Sequence, residues 1–359
     1  MRFARPMWTS AAISLVVGSK RARAVFLPLQ LAVLAMALTA AGPAFGNSMS
    51  INPTYNTAAM MSAGLSAAEI ANVETAFAAA AAQFTNNFND PININITVTA
   101  AAGTTILGQS MSSISGFSYS TMHAALFVDA KTADDVTALG LGGSVPATDP
   151  VAGGHMWWTT TAEAKAIHLI PDNMVNDGTF TFGAGFNYSF NPNSVGAGQI
   201  DFEGVAMHEI SEIMGRIGFF GTTLGGRPAT EADYALYDLF RYTAAGAGNR
   251  SMTQGNGIYF SIDNGSTDLK NYNFPNGGGS DAQDWASGAN DSFNAFGSAG
   301  VQNALTPVDL RVMDVIGYDR TSNSIITTPE PNTVILWLTG IVLMIVTRKR
   351  LATAFRYAT

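Results

Sequence analysis

Cysteine is absent from the 359 residues, which excludes both a disulfide framework and a thiolate metal site. Charge is sparse, with Asp, Glu, Lys and Arg making up 12% of the chain, so stability must come from apolar burial, with bound metal as a candidate addition. Basic residues are scarcest in the middle. Nine of the 18 lie in segments 1–46 and 321–359, which hold one of the 26 acids, Glu330. The body between them therefore has nine bases against 25 acids, a net charge of -16. That balance disfavours nucleic acid and anionic lipid as partners and suits a secreted protein that binds cations. No internal repeat is present.

Both ends carry address rather than fold. Lys20, Arg21 and Arg23 precede the apolar run "AVFLPLQLAVLAMALTAAGPAFG", whose small residues suit cleavage near Ala44 or Gly46. Residues 1–46 thus form a long secretory signal rather than a retained anchor, because polar sequence follows at once. At the other end, Pro329, Glu330 and Pro331 lead into a short hydrophobic helix expected over 333–346, then Arg348, Lys349 and Arg350. Such a segment falls short of the roughly 20 residues of an untilted membrane span. The order of triplet, short helix and basic stop resembles the PEP-CTERM sorting signal of Gram-negative bacteria. The resemblance implies transient insertion into the inner membrane, cleavage by an exosortase partner, and delivery to the cell surface or extracellular matrix. A plain C-terminal tail anchor is the alternative.

The body has the mixed pattern of an α+β fold. In "LSAAEIANVETAFAAAAAQFTNNFND", Ser66 and Glu69 stand at capping-box spacing and Ile70, Val73, Phe77 and Phe84 recur at helical period, predicting a long N-terminal helix. Ile92, Ile94, Ile96 and Val98 then alternate with polar neighbours, predicting a half-buried strand. "YSTMHAALFVDAKTADDVTALG" predicts two helical pieces, "KAIHLI" a strand, and "GTFTFGAGFNYSFNP" a glycine-broken set of short strands. "DFEGVAMHEISEIMGRIGFF" predicts a buried helix, "GIYFSIDNG" a strand, and "LTPVDLRVMDVIGY" a last helix entered at Thr306 and Pro307. The expected division is an N-terminal lobe over 47–221 and a Gly/Asn-rich C-terminal lobe over 222–320.

The stretch "MHEISEIMGRIG" opens like the zinc-protease signature H-E-x-x-H but has Glu212 in the second histidine position. Residues four apart share a helix face, with Cβ atoms about 5 to 6 Å apart. His208 and Glu212 can therefore converge on one ion, both being competent zinc ligands. Glu209 would lean over the open position as general base, taking a proton from metal-activated water that attacks a peptide bond. The extra carboxylate makes the ion a weaker Lewis acid and bears on metal preference. Gly215 also matches the longer H-E-x-x-H-x-x-G-x-x-H pattern, but Gly218 occupies its third ligand position, so the third ligand lies elsewhere. Glu231, Asp233, Asp238, His155 and His168 are the candidates. Among these, Asp238 in "YDLFRY" is chosen because a buried acid needs a partner; an ordinary ion pair with Arg241 is weighed slightly ahead of ligation for it.

Together, "AMHEISEIMGRIG", "YDLFRY", "IYFSIDNG", "DAQDWAS" and "LTPVDLRVMDVIGYD" resemble a family of secreted bacterial metalloproteases that carry PEP-CTERM tails. The resemblance spans about Asp201 to Asp319. It implies a zincin/metzincin-like fold, with a mixed sheet and an active-site helix, and a Zn2+-dependent peptidase with His208 and Glu212 as ligands and Glu209 as base, acting on a peptide or protein substrate. Met313 fits helical spacing and reads as core rather than as a turn beneath a metal. "SIDNGSTD" and "GGGSDAQD" place acids among glycines as candidate Ca2+ loops, without EF-hand spacing. His155, beside Trp157 and Trp158, reads as part of an aromatic cluster or as a wall of a substrate cleft. The competing function is a non-catalytic surface or biofilm-matrix protein on a degenerate protease scaffold.

Overall fold

Ile94, Ile96 and Val98, the alternating residues of the predicted strand, are fully buried, because that strand lies inside a four-stranded sheet. The computed structural model describes residues 48–224, 231–274, 281–286 and 290–321. In it β1 (Ser50–Tyr55) is followed by α1 (Thr57–Ser62), α2 (Ala67–Thr85), β2 (Asn93–Ala101), β3 (Gly108–Ser112) and β4 (Ile114–Phe117). Next come α3 (Tyr119–Asp129), α4 (Ala133–Leu139), β5 (His155–Thr160), α5 (Thr161–Ala166), β6 (Gly178–Gly183), β7 (Tyr188–Ser189) and β8 (Ile200–Asp201). The chain continues through α6 (Phe202–Ile213), β9 (Ala232–Ala235), β10 (Arg241–Tyr242), β11 (Tyr259–Phe260), β12 (Lys270–Asn271) and α7 (Pro307–Val315). The fold is mixed α and β.

The main sheet has the order β1-β2-β6-β3. β1, β2 and β6 run parallel, and β3 is antiparallel to β6 at the edge. α2 and α6 pack side by side against this sheet. Phe77 of α2 stacks on Phe180 of β6, with ring centroids 6.1 Å apart, and Phe202 at the start of α6 meets Phe180 and Phe182. Aromatic burial at this junction fixes the height of α6 beneath the sheet. The other face carries polar side chains, with Asn52 donating to Ser50, Asn93 and Asn95.

The capping box predicted at Ser66 and Glu69 is formed, and α2 buries Ile70, Val73, Phe77 and Phe84 as its period requires. α7 starts at Pro307 with a second box made by Thr306 and Asp309, and Met313 is fully buried in the core. "KAIHLI" differs from its predicted strand. Thr160 and Glu163 form a capping box that starts α5, and the chain leaves it at His168 with φ 58°. Local capping overrode the β-like composition of the segment.

The segments on either side of residue 221 share a sheet and a core. β9 pairs in parallel with β5, and residues from Met49 to Tyr318 belong to one apolar cluster. Among the described residues no helix is long and apolar enough to cross a membrane. The expected signal over 1–46 and the sorting motif of Pro329, Glu330, Pro331, Arg348, Lys349 and Arg350 lie outside the described residues.

Candidate metal centre

α6 is buried along its length except at His208, which is partly exposed. Its exposed edge meets β3, and the register of the two elements builds one wall of a cleft. Gly108, Ser110 and Ser112 alternate onto the strand face over the helix. Ser110 Oγ donates to Glu212 Oε2 at 2.6 Å, and Ser112 Oγ to the Glu212 carbonyl at 3.4 Å. A Cβ at Gly108 would stand 2.3 Å from Glu209 Oε1, so only glycine leaves room for that carboxyl. The opposite wall comes from Asp281, Asp284 and the chain over 291–297, and the cavity between them measures about 280 Å³.

His208, Glu209 and Glu212 all line this cleft. His208 Nδ1 lies 2.8 Å from the Ser292 carbonyl, which can only accept, so Nδ1 donates and Nε2 points to the cluster. Nε2 stands 3.4 Å from Glu212 Oε1 and 3.5 Å from Asp284 Oδ1. Donor atoms about 2.1 Å from a tetrahedral ion stand about 3.4 Å apart. The three side chains thus present one nitrogen and two oxygens, mutually within 4.8 Å, and the two nitrogen–oxygen distances match that spacing. The donor set fits a divalent cation.

Burial opposes ionisation of Glu212, but His208, Arg216 and the Ser110 hydroxyl outweigh it and hold the carboxyl down at about 2. Burial also opposes protonation of His208, yet Asp284 and Glu212 raise the imidazole to about 9 despite the Arg216 charge. Glu209 is different. Burial first, then the charge of Glu212, pushes it well above the ordinary carboxyl range. Its carboxyl makes no hydrogen bond among the described residues, and Glu209 lines the cleft.

Asp238 does not join this cluster, a correction to the expected third ligand. Its Oδ2 accepts from the backbone N–H groups of Phe219, Phe220 and Ala235 at 3.1, 3.1 and 2.9 Å. It therefore ties the turn after α6 to the end of β9, and burial, partly offset by these bonds and by Arg241, lifts it to about 6. Arg241 instead lies over the rings of Phe220 and Tyr272 and donates Nη1 to the Ala282 carbonyl. Asp233 is taken by Trp158 Nε1 and the Leu224 N–H. His155 bonds Asp149 and packs edge-on to Trp157 and Tyr234, an aromatic cluster away from the cleft. Asp263 of the candidate Ca2+ loop is occupied by Ser261 and Thr267.

Asp284 stands in the sequence as a candidate ligand only within the Ca2+ stretch "GGGSDAQD", and its place beside His208 and Glu212 was missed. It sits in "DAQDWAS", in an irregular segment with no periodicity to mark it, 72 positions beyond Glu212. Its neighbour carried the usable signal. Trp285 is fully buried and its Nε1 donates to Asp309 Oδ1 at 2.7 Å, so this segment is anchored to the last helix. Comparison with family models, with curated proteins and with solved structures gives no match for this chain.

Proposed function

We propose that the protein is a secreted, metal-dependent peptidase whose ion is held by His208, Glu212 and Asp284. The observation that carries this reading is the convergence of His208 Nε2, Glu212 Oε1 and Asp284 Oδ1 beside the unpaired Glu209 carboxyl. A bound Zn2+ would supply Lewis acidity towards the scissile carbonyl and activate water at neutral pH. The rest of the work falls to the chain. Glu209 holds and returns a proton at its carboxyl, a role for which a raised affinity for protons is suited. Ser292 fixes the His208 tautomer, and Ser110 and Gln283 hold Glu212, the latter by Nε2 to Oε1 at 3.2 Å.

A zincin-like architecture is the finer reading. What supports it is an HE helix beneath a mixed sheet whose antiparallel edge strand borders the cleft. Export by the 1–46 signal, exosortase processing at the inner membrane and display at the cell surface remain part of the proposal, on the strength of the sequence motifs at the two ends.

The test uses the full chain, parent and Glu209→Gln, loaded with zinc. Peptide hydrolysis should fall by about 10²- to 10⁴-fold, the contribution of a general base, while metal content stays at that of the parent. Equal turnover in the two proteins would remove Glu209 from the mechanism. A parent that folds but takes up no metal would instead favour the non-catalytic surface protein.

A further inference from the structure

Arg216 is completely buried, and a buried guanidinium is tolerated only where it is paired. Its position follows from how α6 ends. Gly215 adopts φ 115°, its N–H bonds the Glu212 carbonyl, and the Arg216 N–H bonds the Ser211 carbonyl, each at 3.0 Å. This pair of bonds is the Schellman arrangement, which reverses the chain over its own last turn. The turn at Gly215 thus carries an arginine back over the helix.

Both terminal nitrogens of that arginine face the ligand carboxylates. Nη1 donates to Asp284 Oδ1 at 2.6 Å, and Nη2 lies 3.6 Å from Glu212 Oε1 and 3.5 Å from the His208 carbonyl. Nε donates to Ser211 Oγ at 2.8 Å, and the Phe293 ring lies 4.4 Å from the guanidinium carbon. The two carboxylate oxygens beside Arg216 are the same two that face His208 Nε2.

We propose that Arg216 is the positioning residue of the metal centre, holding Asp284 at ligand distance and offsetting one of the two carboxylate charges around the ion. The inference rests on the metal-centre reading above. Asp284 lies outside any helix or strand, so a side chain has to orient its carboxylate, and the Arg216 fork is the one that does so among the described residues. The charges also balance. Neutral His208 with Glu212 and Asp284 carries two negative charges, and Arg216 reduces that to one, the charge of a two-histidine, one-carboxylate zinc site. The glutamate in place of the second histidine is thus matched by an arginine four residues on.

The experiment measures Zn2+ affinity by competition with a chromophoric chelator, together with the Co2+ absorption spectrum. It compares full-length parent, Asp284→Asn, Arg216→Gln, Arg216→Lys and the double variant Arg216→Gln/Asp284→Asn. Removing a cation would by charge alone tighten metal binding, so a loss reads out positioning. Arg216→Gln should weaken Zn2+ binding by about 10- to 100-fold, the effect usual for partners of metal ligands. Its Co2+ spectrum should move as that of Asp284→Asn does, and the double variant should be no weaker than Asp284→Asn alone. Lysine keeps the charge but not the planar fork, so Arg216→Lys should fall between parent and Arg216→Gln. Unchanged or tighter binding in Arg216→Gln would overturn the proposal, as would a double variant showing the product of the two single effects. Should Arg216→Gln fail to fold, Arg216→Lys decides, and parent-like affinity there overturns the proposal. A parent that binds no Zn2+ sinks the metal-centre reading itself, whereas a binding parent with an indifferent Arg216→Gln sinks only the role of Arg216.

Discussion

His208 joins two opposed demands, since its raised proton affinity and its ligand geometry concern the same Nε2. With the imidazole lifted to about 9 by Asp284 and Glu212 against the cost of burial, a proton occupies Nε2 at neutral pH until a cation displaces it. Uptake of Zn2+ at pH 7 should therefore release about one proton per chain. Calorimetry in buffers of different ionisation enthalpy measures this directly, and proton release near zero would count against His208 as a ligand. Gly108 presents a second residue-scale prediction. An alanine there would put its Cβ 2.3 Å from Glu209 Oε1 and 2.8 Å from Val205 Cγ1, forcing the carboxyl aside while leaving the three ligands in place. Hydrolysis should drop by about a hundredfold, the cost of misplacing a reacting group by about 1 Å, at parent-like zinc content.

At the scale of elements, the site is a helix, an edge strand and an anchored loop. α6 presents His208, Glu209 and Glu212 by its own periodicity, and that much was legible from spacing alone. The strand β3 was not singled out in the sequence, because "GQSMS" lacks the apolar alternation that marks a strand. Its small side chains are there to let the helix approach, and only pairing with β6 shows them. The loop carrying Asp284 showed in the sequence only as acids among glycines, without its position, since its order comes from Trp285 bonding Asp309 near the start of α7. Trp285→Phe keeps an aromatic ring but leaves the Asp309 oxygen without its donor. The expected result is a loss of about 1–3 kcal/mol of stability, together with weaker Zn2+ binding as Asp284 loses its anchor. A thermal melt and a chelator titration check the two parts, and a fall in stability with unchanged affinity would show that the loop is held by other contacts.

Across the whole molecule, acid groups outnumber basic ones and many are buried. Burial first, and then neighbouring Asp319, raises Asp90 to about 7 and Asp129 to about 8, while burial and Asp135 raise Asp314 to about 8. A raised folded value means that the folded state holds these protons more tightly than the unfolded chain does. The stability they contribute is fully present below about pH 4, the unfolded range, and is lost as pH rises through 7 to 8. Lys131, paired with Asp319 and 3.8 Å from Asp129, limits this loss. Asp129→Asn mimics the protonated form, so its Tm should match the parent near pH 4 and exceed it at pH 9. A Tm difference independent of pH would rule out this origin.

By itself the sequence determined the elements whose information is local. Capping residues at Ser66 and Thr306, the apolar stripe of α2, the alternation of β2 and the shared face of His208 and Glu212 are all set by neighbours within a few positions, so they survive being read one segment at a time. Tertiary structure decided everything that depends on residues far apart in the chain. It put Asp284, and not Asp238, beside His208; it laid Gly108 over Glu209; and it turned Arg216 back onto its own helix. The physical reason is that ligand geometry is a property of distances in space, and an irregular loop held by one buried tryptophan leaves no periodic trace of where its carboxylate will point.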